Sequence, residues 1–91
     1  MAKSNVYSET NLILPAGSIY PYEFFPYRMQ DIEVFNIGND DAIIMVDDAS
    51  LANGITVVTN GKRDFHSNGP NFKRISFYSA RGTKIRMVLS R

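Results

Sequence analysis

Ile, Val, Phe, Tyr and Thr gather in short segments, and residues that favour turns separate one segment from the next. In Asp31-Ile32-Glu33-Val34 the apolar side chains take one face and the acids the other, as a half-buried strand requires. Leu12 to Leu14 and Ile43 to Val46 are further strand segments. The breaks fall at Pro15-Ala16-Gly17, Gly38-Asn39-Asp40-Asp41, Asn53-Gly54, Asn60-Gly61, Asn68-Gly69-Pro70 and Arg81-Gly82. Short strands punctuated in this way predict an all-β domain, a small antiparallel β-sandwich or jelly-roll-like barrel of about seven to eight short strands. The one helical alternative runs from a cap at Asp40 or Asp41 through Ile43, Ile44 and Val46 to Leu51. Its β-branched residues and paired aspartates favour the strand.

Two hairpins follow from the local pattern. Residues 72–79 and 83–90 would turn at Ala80-Arg81-Gly82, with Phe77 against Ile85 and Ile75 against Met87 on an apolar face. Arg74, Tyr78, Lys84 and Arg86 would then share the opposite face, and Gly82 would take the left-handed position of the loop. Asn60-Gly61 predicts a second turn, although Val57 opposite Asp64 and Ile55 opposite His66 leave its register open. Leu14-Pro15-Ala16-Gly17-Ser18-Ile19 is echoed by Leu51-Ala52-Asn53-Gly54-Ile55-Thr56. A leucine, a Gly-centred corner and a new strand would carry the chain from one sheet to the other in two similar halves.

The 91 residues are read as one domain over 1–91, with 1–9 as a candidate extended N-terminal arm. A chain of this length buries only about 60–65% of the surface it exposes when unfolded. Disulfides, metals or oligomerisation usually make up the deficit. With no cysteine and one histidine, thiolate and His-based metal sites fall away, and oligomerisation remains. No cofactor is expected. The aliphatic run Ala42 to Val46 is too short to cross a membrane, and no apolar stretch follows Lys3 as in a signal peptide. The expectation is therefore synthesis in a reducing cytoplasm, without a membrane partner.

Net charge is +1, but the halves differ sharply. Residues 1–50 hold two cations against eight carboxylates, and residues 51–91 hold eight cations against Asp64 alone. The Arg74, Tyr78, Lys84 and Arg86 face admits three readings. It could pair with Asp31, Glu33 or Asp47 on neighbouring strands, meet an acidic face of another subunit head to tail, or bind single-stranded nucleic acid. Nucleic acid is the least favoured, because the sequence pI of about 8.0 is low for such a domain.

The segment from Tyr20 to Tyr27 concentrates aromatics: Tyr20, Tyr22, Phe24, Phe25 and Tyr27. Pro21 and Pro26 exclude a central strand and predict an extended edge segment. Its rings would serve a partner surface or a sugar platform, or else pack over the mouth of the sandwich. His66 shares a strand face with Asp64 but has no nucleophile motif beside it, so a solvated histidine is the simpler account. In a strand, Asp40-Asp41 and Asp47-Asp48 would each offer one carboxylate per side, which argues against a metal site.

Leu-Pro-Ala-Gly-Ser-Ile near the start, Phe35-Asn36-Ile37-Gly38-Asn39-Asp40, Leu-Ala-Asn-Gly-Ile and the final Phe-Lys-Arg-Ile-Ser-Phe-Tyr-Ser…Thr-Lys-Ile-Arg-Met-Val-Leu together resemble small virion structural proteins of tailed bacteriophages. The resemblance implies a short β-sandwich that decorates or cements a capsid or forms a connector or tail part. It further implies a trimer or larger ring, partnered with itself and with a larger virion protein. It implies no catalysis and carries over no site residues. A small carbohydrate- or ligand-binding β-sandwich using Tyr20, Tyr22 and Tyr27 is the alternative. A cupin-like enzyme is the third, lacking the histidines it would need for metal.

Overall fold

Ile32 and Val34 in one sheet and Ile75 and Phe77 in the other define two inner faces that close on a single core. A computed structural model of the chain describes residues 6–24, 28–47 and 51–90. Its strands are β1 (Val6–Leu14), β2 (Ile19–Glu23), β3 (Asp31–Asn36), β4 (Ala42–Val46), β5 (Ile55–Val57), β6 (Lys62–His66), β7 (Arg74–Tyr78) and β8 (Thr83–Ser90). A short 3-10 turn at Leu51–Asn53 joins β4 to β5. Four strands form one sheet in the order β1-β8-β3-β6, and four form the other in the order β2-β7-β4-β5. Every named strand pairing is antiparallel. This is an eight-stranded jelly roll, the all-β architecture expected from the alternation.

In β3 the even-numbered side chains are buried, and in β8 the odd-numbered ones, so each strand lends one face to the core. Leu12, Leu14, Ile85, Met87 and Leu89 meet Ala42, Ile44, Val57 and Phe77 across the gap between sheets. Burying each large aliphatic or aromatic side chain contributes about 1.5–3 kcal/mol. Ala42–Val46 is strand, not the start of a helix, in keeping with its β-branched residues. Residues 6–9, assigned above to an arm, belong to β1 and pair with β8.

Neither predicted hairpin forms. β7 pairs with β2 and β4, whereas β8 pairs with β1 and β3, so Ala80-Arg81-Gly82 is a corner between sheets. Phe77 therefore lies beside Tyr20 and Ile44, and Ile85 beside Leu12 and Asn36. All four core residues of the supposed hairpin are fully buried, so the apolar faces were right and the neighbours wrong. Gly82 does adopt the left-handed conformation, at φ 87°. Asn60-Gly61 is also a corner, taking the chain from β5 to β6 in the opposite sheet, with Asn60 at φ 65°. Of the two echoed corners, Pro15-Ala16-Gly17 crosses between sheets, while Leu51–Asn53 returns the chain to the same sheet.

Ser76 is 1% exposed although it faces away from the core, between Pro21 and Met45. Its hydroxyl has no hydrogen-bond partner among the described residues. A buried hydroxyl without a partner costs stability. Ser76→Ala is therefore expected to be neutral or stabilising by up to about 1 kcal/mol, read from the denaturant midpoint. A clear loss of stability would show that the hydroxyl is bonded in solution.

Candidate functional site

The four residues expected on one basic face are divided between two. Arg74 and Tyr78 point outward from β7, and Lys84 and Arg86 outward from β8 in the opposing sheet. The charge asymmetry of the halves is resolved by strand order. In both sheets, each strand from the acidic half neighbours only strands from the basic half. Cross-strand pairs follow: Arg74 Nε lies 3.5 Å from Glu23, and Lys62 Nζ lies 3.7 Å from Glu33. Lys62 also lies 3.6 Å from Asp64. Arg86 Nε sits 2.7 Å from Glu9 Oε2, in contact but outside hydrogen-bond alignment. Arg86 and Lys62 also lie over the Phe35 ring, at 4.8 and 5.5 Å. Pairing within the chain is thus the reading the geometry supports for Arg74 and Arg86, with Glu23 and Glu9 as the side-chain partners. Such exposed pairs are worth about 0–1 kcal/mol each.

The aromatic segment is an edge strand, as its prolines required. β2 borders its sheet, and Pro21 lies opposite Ser76. Of the two placements expected for its rings, a contact surface or packing against the sandwich, the described ones take the second. Tyr20 and Tyr22 pack against the core, and Phe24 is buried in it, its ring 6.0 Å from that of Tyr22. The reason is parity: Pro21 and Glu23 take the solvent side, which leaves the aromatics facing the core. Phe25 and Tyr27 lie outside the described residues.

His66 sits on the outer face of β6 and bonds through Nδ1 to Asp31 on β3, not to Asp64. Asp47, at φ 59°, accepts hydrogen bonds from the backbone N–H of Lys73 at 2.7 Å and Arg74 at 3.0 Å. Its role is to fasten the end of β4 to the start of β7; Asp48 lies outside the described residues. No group of three or more His, Asp or Glu that could hold a metal occurs among the described residues. The space between the sheets is lined by Ile32, Val34, Ile85 and Met87, whose single thioether is one soft ligand and does not make a site. The residues present do not fit a metal held there.

Asn36, at 1% exposure, is the polar hub that sequence reasoning missed. Its Nδ2 donates to the carbonyls of Asp40 and Val57, each at 2.8 Å. Its Oδ1 accepts from Gly38 N at 3.1 Å and Thr83 Oγ1 at 3.0 Å. The side chain thereby ties the β3–β4 loop to β5 and β8 at one end of the barrel. The signal was present, since the alternation of Ile32 and Val34 continues inward to Asn36.

Two surface features lie near that end. Ile13 on β1 is 73% exposed and Ile37 is 50% exposed, and they flank Lys84. On the outer face of the other sheet, a hollow is lined by Asn39, Asp40, Asp41, Ile43, Thr56, Tyr78 and Arg81. Tyr78, assigned above to a basic face, is the aromatic group of this hollow.

No family model and no curated protein matches the chain. Solved structures do. A cupin superfamily protein from Desulfitobacterium hafniense is 15% identical with a TM-score of 0.63, covering 99% of this chain and 71% of that one. An RmlC-like cupin protein from Desulfovibrio desulfuricans is 9% identical with a TM-score of 0.65, covering 99% and 76%. A de novo designed double-stranded β-helix is 14% identical with a TM-score of 0.59, covering 92% and 97%. At such identities the likeness establishes the fold alone: the chain has the double-stranded β-helix architecture found in cupins.

Proposed function

We propose that the domain is a non-enzymatic assembly subunit that joins copies of itself through the edge of β1, which no described strand covers. The observation behind this is the contrast among its four sheet edges. β6 is guarded by Lys62, Arg63 and Asp64, β2 by Pro21, and β5 by its length of three residues. Charge, proline and brevity are the usual devices that stop a strand edge from recruiting another chain. β1 has nine residues, no proline and Glu9 as its single charge, and beyond a register shift between Val6 and Ser8 its pairing is regular from Ser8 to Leu14. Exposed Ile13 stands at that edge, near Ile37. A strand added here would gain backbone hydrogen bonds and cover apolar surface together. The resemblance of the sequence to phage virion proteins supports placing this assembly in a virus particle, with a larger virion protein as the second partner.

Light scattering at several concentrations tests the reading. The wild-type chain is expected as a discrete oligomer. Ile13→Lys, at an exposed position, is expected to leave the fold intact and shift the mass to the monomer. A monomeric wild type, or an unchanged oligomer in Ile13→Lys, would remove the β1 edge from the assembly.

A further inference from the structure

The hollow on the outer face of the second sheet combines groups that are far apart in sequence. Ile43, Thr56 and Tyr78 form one row across β4, β5 and β7 by strand register. The β3–β4 loop brings Asn39, Asp40 and Asp41 to its rim, and the β7–β8 corner brings Arg81. The volume is about 350 Å³, within the range of about 300–1,000 Å³ typical of small-molecule sites. Among the described residues, the side chains of Asp41, Thr56, Tyr78 and Arg81 make no hydrogen bond or ion pair with one another or with other groups. Arg74, Arg86 and Lys62, by contrast, have carboxylate partners.

We infer that this hollow binds a neutral sugar residue. Two carboxylates beside one guanidinium disfavour a phosphate or a carboxylate ligand, which would face Asp40 and Asp41. A compact cation would in turn meet Arg81. A polyhydroxylated ring carries donors for the aspartates, acceptors for Arg81 and both for Asn39 and Thr56. Its C–H face suits the apolar side of the site, made by Tyr78 and Ile43. The strands that floor the site belong to the sheet opposite β1, while its rim residues Asn39, Asp40 and Arg81 also border the neighbouring hollow that holds Ile13 and Ile37.

Titration of isotope-labelled chain with glucose, galactose, mannose and N-acetylglucosamine, followed by amide chemical shifts, tests the inference. At least one sugar is expected to give saturable shifts at residues 39–41, 56 and 78–81, with Kd of order 1 mM. Tyr78→Ala is expected to weaken binding by about tenfold. Asp41→Ala, at an exposed loop position, provides a second variant that does not disturb a strand, and it too is expected to weaken binding. Absence of saturation with all four sugars up to about 50 mM, or saturable shifts confined to other residues, would overturn the assignment. So would binding that survives both Tyr78→Ala and Asp41→Ala unchanged.

Discussion

Asn36→Ala is expected to lower the thermal unfolding midpoint by about 12–24 °C, the largest effect of any polar substitution in the domain. Four hydrogen bonds end on this one side chain, and their partners lie on three different elements. Removing it leaves the carbonyl of Val57 and the hydroxyl of Thr83 in a buried setting, each short of a partner. An unsatisfied buried group costs about 1–3 kcal/mol, which puts the total loss near 3 kcal/mol. For a domain of 60–100 residues, each kcal/mol moves the midpoint by about 4–8 °C.

Asn36→Asp separates the hydrogen-bond account from simple loss of packing. A carboxylate there would face the carbonyl oxygens of Asp40 and Val57, where the amide donates. Burial and those oxygens would raise its folded-state pKa above the usual value of about 3.9. The protonated form is then favoured by folding, so the variant is most stable below that value and loses stability as pH rises. Urea melts at about pH 4 and pH 7 read this directly. If Asn36→Ala and Asn36→Asp were equally destabilised at both values, Asn36 would be acting as filler.

How much of this was legible in the sequence depends on what a periodicity can encode. Alternation identified the inward side of Ile32, Val34, Ile75, Phe77, Ile85 and Met87 correctly, because side-chain parity is a property of a single strand. It could not say which strand lies alongside. A three-residue loop ending in left-handed Gly82 serves a hairpin and a sheet-crossing corner equally well, and the choice is made by distant strands such as β1 and β2. The consequence for function was direct. Once β7 and β8 part, Arg74 and Tyr78 leave Lys84 and Arg86, and a single basic face ceases to exist. The charge imbalance between halves left pairing within the chain and contact with a second subunit equally open; the jelly-roll order interleaves the halves and lets Glu9, Glu23 and Glu33 find cations within the chain. The prolines around Tyr20 to Tyr27 named an edge strand correctly. Whether an aromatic there faces core or solvent is decided by parity with Pro21 and Glu23, which turns Tyr20 and Tyr22 inward. The hollow around Tyr78 was not legible, because it joins residues 39–41 to residues 78–81 through a contact that only the fold creates.

Gly38→Ala is expected to cost at least about 3 kcal/mol and to fail to give a cooperative melt at 37 °C, although one methyl is all that is added. The reason is room, not backbone conformation, since Gly38 is not among the glycines of positive φ. A Cβ at this position would stand 2.0 Å from Thr83 Oγ1 and 2.4 Å from the backbone nitrogen of Lys84. The threonine side chain could rotate only by surrendering its bond to Asn36. The nitrogen of Lys84 belongs to β8, which is held on both sides by β1 and β3 and cannot withdraw without opening the sheet. Relief must therefore come from the β3–β4 loop, which would pull Gly38 N away from Asn36 Oδ1 and its carbonyl away from Thr59. Gly69→Ala is the matched control: nothing lies within 4 Å of its added methyl, and its melting temperature should stay close to that of the wild type. Equal melting curves for the two variants would mean that β8 and the loop separate readily, and the end of the barrel that Asn36 fastens would then be soft.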